Sequence, residues 1–207
     1  LFPYTTLFRS QPALYVHGYA AYTVLREHDS RGEPPAALFG LSLGELTALA
    51  AADVYDFATG LELVAERGRL MQEACDREGG SMAALIGGDR ETARQLAERH
   101  GLDVANYNCP GQIVISGPEE GIRSAVESAR DTGFKMAKEI NVAGAYHSRL
   151  MASAGEAFAK ALQAVRFEPP AAPVYTNTTG ERIEDPEAIK RALAQQITSP
   201  VYFEDNM

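Results

Sequence analysis

Phe39-Gly40-Leu41-Ser42-Leu43-Gly44-Glu45 places one serine between two glycines, in the pattern Gly-x-Ser-x-Gly. A serine hydroxyl is a poor nucleophile until a neighbouring base removes its proton and donors await the oxyanion it creates. A sharp strand-to-helix turn exposes such a hydroxyl, and flanking glycines suit the close passage of the two elements. Here apolar Pro35-Ala36-Ala37-Leu38-Phe39 reads as the strand, and Leu46 to Ala52 reads as the helix. The Leu43 amide then points from the helix N-terminus toward any oxyanion. The same residues also fit a tight turn whose serine merely caps the helix.

A base for Ser42 must come from four histidines. His17 falls on a predicted helix and reads as packed or surface. His28 lies in the polar loop Glu27 to Glu33. His100 ends a helix, where a cation complements the helix dipole. His147 follows the small residues Ala143-Gly144-Ala145 and precedes a new helix, in a loop that returns from one unit of the chain to another. A cleft is expected at such a junction, so His147 is the candidate base. Arg67 lies in Ala65-Glu66-Arg67-Gly68-Arg69-Leu70-Met71. On its own spacing it reads as a surface arginine paired with Glu66 or Glu62. Gly68 is costly inside a helix and predicts close approach of another backbone.

The elements that position these groups read as α/β. A first helix opens at Gln11-Pro12, with Leu14, Tyr15, Gly18, Tyr19, Tyr22 and Leu25 on one face. A helix capped by Asp56 buries Phe57, Leu61, Val64, Ala65, Gly68 and Met71. From Ser81 to about Val142 the order is β-α-β-β-α-β, a split βαβ unit of ferredoxin-like type. The division expected is 11–80 with 143–207 as a large domain, and 81–142 as an inserted subdomain. A helix over Ser148 to Val165, a strand over Pro173 to Asn177 and a helix from Asp185-Pro186 follow. The first ten residues, Leu1 to Ser10, fit nothing that follows and are set apart as a non-native or misjoined segment.

The 207 residues carry a formal charge of −9, which argues against a general nucleic-acid binder. Cys75 and Cys109 have no metal-ligand spacing and read as free thiols of a reducing compartment. No apolar run reaches membrane-spanning length. Neither a metal nor a resident cofactor is expected.

Taken together, these stretches resemble the malonyl-CoA:acyl-carrier-protein transacylase family and the related acyltransferase domains of fatty-acid and polyketide synthases. Gly40-Leu41-Ser42-Leu43-Gly44-Glu45 is similar to the family's nucleophile motif, and Ala65 to Gln72 to its arginine helix. Asn108-Cys109-Pro110-Gly111-Gln112-Ile113-Val114-Ile115-Ser116-Gly117 is similar to its subdomain hairpin. Ala145-Tyr146-His147-Ser148-Arg149-Leu150-Met151 resembles its histidine loop, and Gln195 to Val201 its late Gln/Pro loop.

The resemblance implies an α/β-hydrolase-like parallel-sheet domain carrying the ferredoxin-like insert. It implies Ser42 as nucleophile, His147 as base and then acid, and the Gln196 carbonyl as the group that orients the histidine. It makes Leu43 an oxyanion amide, Arg67 the grip on a malonyl carboxylate, and Asn108 a neighbour of the pocket. The implied substrates and partners are malonyl-CoA, a coenzyme A thioester, and phosphopantetheinylated acyl carrier protein, acted on by a cytoplasmic monomer. Leu41 stands where the family usually has histidine, and Asp53 where it commonly has the glycine of a left-handed helix end. The family's opening Gly-Gln-Gly strand and its closing strand and helices have no counterpart here, so a truncated chain, weakly active or inactive, is expected. A polyketide-synthase acyltransferase is the rival within the family. Outside it stand a serine hydrolase, which lacks a use for Arg67, and a catalytically dead carrier-protein docking module.

Overall fold

The computed structural model describes residues 6–30 and 32–207. Helices α1 (Leu7–His28), α2 (Leu43–Ala51) and α3 (Phe57–Glu78) come first. They meet around Tyr15, Leu46, Leu49, Leu63, Val64 and Met71, all buried. Asp56 caps α3, its Oδ1 accepting the Thr59 N–H at 2.7 Å. Helix α1 begins at Leu7 rather than at Pro12, so Pro12 lies inside the helix. Leu7–Ser10, set apart on sequence, therefore form its first turn, and Leu1–Thr5 lie outside the described residues. Gly68 explains the docking: a Cβ there would sit 2.8 Å from the Leu7 carbonyl oxygen. The close approach expected at Gly68 is made by the start of α1. The α1 face also differs from expectation, because Leu14 and Leu25 are exposed. Tyr15 of the expected face is buried and its hydroxyl donates to the Phe57 carbonyl, and the contact also takes in Gln11.

Next come β1 (Ser81–Ile86), α4 (Arg90–Arg99), β2 (Asp103–Cys109), β3 (Gln112–Gly117), α5 (Glu119–Ser128) and β4 (Met136–Ile140). The four strands form one sheet in the order β2-β3-β1-β4, with every pair antiparallel. Alternation in β1 and β3 sends Ala83, Leu85, Ile113 and Ile115 inward, where they join Leu96 of α4 and Ile122 of α5. This cluster is separate from the core under α3.

The chain returns through Ala143–Ser148 to α6 (Ala152–Gln163), β5 (Val174–Tyr175), β6 (Arg182–Ile183), α7 (Pro186–Gln195) and α8 (Phe203–Asn206). Phe158 and Leu162 of α6 and Ile189 and Leu193 of α7 complete the first core. The fold is α/β, but the strands expected at 35–39 and 173–177 are shorter than read. Leu38 makes one parallel bridge to Val174, with its N–H donating to the Pro173 carbonyl at 2.8 Å. Pro34, Pro35 and Pro173 have no N–H to donate, and Gly40 already starts the turn, so the ladder cannot lengthen at those ends. A second parallel bridge joins Val201 to Asn106 of β2. No helix among the described residues is long and apolar enough to cross a membrane.

Candidate active site

Ser42 sits at φ 52°, the left-handed region that few non-glycine residues adopt. The turn before it demands glycine, since a Cβ on Gly40 would lie 2.3 Å from the Gly44 carbonyl carbon. Gly44 has no such reason, because a Cβ there meets nothing within 4 Å. The strain is held in place by Asn177, just after β5. Its Oδ1 accepts the Ser42 N–H at 2.6 Å and its Nδ2 donates to the Gly40 carbonyl at 2.8 Å. The Ser42 side chain makes no capping bond to α2, so the reading of it as a helix cap is corrected. Its Oγ faces His147 Nε2 at 2.8 Å instead.

His147 is buried and also has a positive φ, 55°. Its Nδ1 lies 2.8 Å from the Gln196 main-chain carbonyl, which can only accept. Nδ1 therefore carries the proton, and Nε2 presents a lone pair to the Ser42 hydroxyl. Burial, with the nearby Arg67 charge, pushes the imidazole down to about 4, against the bonds to Gln196 and Ser199 that oppose the shift. The ring is neutral at pH 7 and able to take a proton.

Arg67 is only 1% exposed, which overturns the surface reading. Glu66 pairs with Arg69 instead. The heptad-like spacing of α3 puts Arg67 on the same inward stripe as Leu63, Val64 and Met71. Its guanidinium donates to Gln11 Oε1 at 2.7 Å, to Ser42 Oγ at 2.9 Å and to Gln196 Oε1 at 2.9 Å. Its Nε is buried with no partner. No carboxylate among the described residues makes an ion pair with it. Glu45 is felt only at longer range.

Ser42, His147, Arg67 and Gln196 thus converge on one point. Leu43 is the first residue of α2, so its N–H is one of the first-turn donors that a helix leaves without an internal acceptor. Asn108 is not joined to this group. It lies at the irregular end of β2, and its buried Oδ1 has no partner. Leu41 is exposed and borders a groove of about 420 Å³ lined by Leu14, Gly18, Leu43 and Thr47. The other histidines lie elsewhere: His17 is exposed on α1, His28 bonds the Val24 carbonyl, and His100 bonds Ser128. No group of three or more potential metal-ligating His, Cys, Asp or Glu residues occurs among the described residues.

Three residues of the site were not singled out on sequence: Gln11, Glu45 and Asn177. Gln11 opens a predicted helix among apolar residues and carries no local mark of a site. Glu45 stood inside the nucleophile motif and Asn177 at the polar end of an apolar strand, which were the available signals.

A family model described as Acyl transferase domain matches residues 5–207. The chain is 36% identical to a malonyl CoA-acyl carrier protein transacylase of Bacillus subtilis (strain 168), over 98% of this chain and 65% of that protein. It is 39% identical to the polyketide biosynthesis malonyl CoA-acyl carrier protein transacylase BaeC of Bacillus velezensis, over 99% of this chain and 71% of that protein. Among solved structures, an acyl carrier protein S-malonyltransferase of Vibrio cholerae superposes with a TM-score of 0.90 at 36% identity, covering 97% of this chain and 66% of that one. A type II PKS acyl-carrier protein in complex with its malonyl-transacylase gives 0.89 at 34%, covering 96% and 65%. The chain thus spans less than two thirds of the Bacillus subtilis relative's length.

Proposed function

The chain belongs to the acyl transferase domain family, and we propose that it moves a malonyl group from coenzyme A to the phosphopantetheine thiol of an acyl carrier protein through an ester on Ser42. The observation that carries this reading is Arg67. A cation buried 2.9 Å from the nucleophile's oxygen, with no ion-pair partner among the described residues and an unpartnered Nε–H, is suited to a substrate that brings its own carboxylate. A simple esterase has no use for it.

The geometry supports the following steps. Ser42 Oγ gives its proton to His147 Nε2 as it attacks the thioester carbonyl. The imidazolium that forms is held by the Gln196 carbonyl, with no carboxylate in the relay. The Leu43 N–H receives the oxyanion. When the tetrahedral intermediate collapses, His147 returns the proton to the departing coenzyme A sulfur. The carrier-protein thiol then repeats the sequence in reverse, leaving Ser42 free. The relatives named for acyl carrier protein support that partner. The polyketide relative at 39% identity favours a second reading, the same transfer serving a polyketide carrier protein. We further read β1–β4 with α4 and α5 as a ferredoxin-like unit set into an α/β-hydrolase-like one. The sheet order and the parallel bridge at Leu38 support that reading.

The test is intact-mass detection of an acyl adduct after long incubation with excess malonyl-CoA, which registers even a slow acylation. A malonyl adduct is expected in the parent chain and none in Ser42→Ala. Acetyl-CoA should give no adduct until Arg67 is replaced by alanine. Folded protein that stays unlabelled by malonyl-CoA would overturn the assignment.

A further inference from the structure

Ser42-Leu43-Gly44-Glu45 has the spacing of a capping box, in which the serine hydroxyl and the glutamate side chain each bond a first-turn amide of the same helix. The structure sends every partner elsewhere. Ser42 Oγ faces His147, and the Ser42 N–H goes to Asn177 rather than to Glu45. Glu45 turns inward and is 1% exposed. Its Oε2 accepts the Gln196 Nε2–H at 2.7 Å and the Asn177 N–H at 3.0 Å.

Those two partners hold the reacting groups. Gln196 Nε2 also donates to the Ser42 carbonyl, its Oε1 accepts from Arg67, and its main-chain carbonyl accepts from His147. Asn177 clamps the elbow at the Ser42 N–H and at the Gly40 carbonyl. Glu45 also settles which way the Gln196 amide faces. Glu45 Oε2 accepts the Asn177 N–H whether the carboxyl is ionised or carries its proton on Oε1, so it meets the NH₂ end of Gln196, and the oxygen end is left for Arg67. A flipped Gln196 would set its NH₂ against a guanidinium that has nothing to accept with.

We propose that Glu45 is a positioning residue for the acyl-transfer site. One oxygen of its carboxylate sets the Gln196 amide and the Asn177 backbone, and through them the directions of Arg67, His147 and Ser42. This rests on the reading of Ser42 and His147 as nucleophile and base. Burial without an ion pair is costly for a carboxylate, and a helix needing only an acid in its first turn would leave it in water. The two bonds to groups that touch the nucleophile give the burial its use.

The test compares Glu45→Asp with Glu45→Gln. Aspartate keeps the carboxyl group but is one methylene too short to reach both donors. Glutamine keeps an accepting oxygen at the original reach. With a fluorophosphonate probe of Ser42, Glu45→Asp should lower the maximal inactivation rate constant by about tenfold to a hundredfold, the cost of a misplacement near 1 Å. The probe concentration at half-saturation should hold, and Glu45→Gln should recover at least tenfold of the loss. A second readout needs no chemistry: the His147 Nδ1 proton in nitrogen-15 histidine spectra should be sharp in the parent and in Glu45→Gln, and broadened or shifted in Glu45→Asp. Aspartate reacting at the parent rate, or glutamine reacting as slowly as aspartate, would overturn the proposal. Should aspartate fail to fold, a more than tenfold fall in Glu45→Gln alone overturns it, and retention with a sharp His147 proton supports it. A parent chain that the probe never labels counts against the nucleophile reading. The Glu45 proposal is then decided by the histidine proton.

Discussion

Replacing His147 by glutamine should change how stability depends on pH, and the change can be worked out before the experiment. Burial lowers His147 from 6.5 to about 4. Between those values the unfolded chain holds a proton that the folded one does not, so stability rises with pH across the window. Glu45 behaves oppositely. Burial raises it from 4.5 to about 7, against the bonds from Gln196 and Asn177 and the Arg67 charge. Between those values the folded chain holds the extra proton, and stability falls as pH rises. Each pH unit of separation is worth about 1.4 kcal/mol, so each group accounts for about 3 kcal/mol. The two contributions nearly cancel where the windows overlap, and the parent stability curve carries little trace of either. Single replacements expose them. The stability of the parent over His147→Gln should grow by about 3 kcal/mol from pH 4 to pH 6.5. Its stability over Glu45→Gln should shrink by about the same amount from pH 4.5 to pH 7. Lost hydrogen bonds add an offset that does not vary with pH, and the other titrating groups drop out of the difference. Urea unfolding at half-unit pH steps measures both slopes. Variant curves parallel to the parent's would refute the burial of these groups as the cause.

Arg67→Ala should lower the rate of malonyl-adduct formation by about a hundredfold or more, since two charge-assisted bonds are worth about 1.5–3 kcal/mol each. Acetyl transfer should rise relative to malonyl, read from paired single-turnover assays. Gly68→Ala should destabilise the chain by about 1–3 kcal/mol in thermal unfolding, because the new methyl meets the backbone of Leu7 and Phe8 rather than the end of a side chain. Asp53→Gly should raise stability by up to about 1 kcal/mol, since Asp53 sits at φ 59° just past α2 and glycine adopts that conformation freely.

Features encoded within a few residues could be read from the chain itself. The Gly40–Gly44 elbow, the Asp56 cap and the alternation that builds β1 and β3 each carry their own signal. Their partners also lie nearby in sequence or within one unit. Arg67 shows why other features stayed hidden. Nothing local distinguishes an arginine buried against Gln11 and Gln196 from one lying in water beside Glu66, and only the resemblance moved it inward. Leu14 and Leu25 failed in the opposite direction, since an apolar residue on the apparent face need not find a partner there. Asn177 and Glu45 act through residues more than a hundred positions away, a relation that periodicity cannot show.

The tether between Gln196 and Val201 acts on His147 by its length. At one end the Gln196 carbonyl fixes the His147 ring, and at the other Val201 exchanges backbone bonds with Ala105 and Tyr107 of β2. Five peptide steps can reach roughly 17 Å at full stretch, and less in the helical turn that starts this one. An inserted residue would slacken the span and let the imidazole swing away from Ser42. A deleted one would drag the carbonyl toward the sheet. Insertions and deletions between these two residues should therefore be rare among working relatives of this chain.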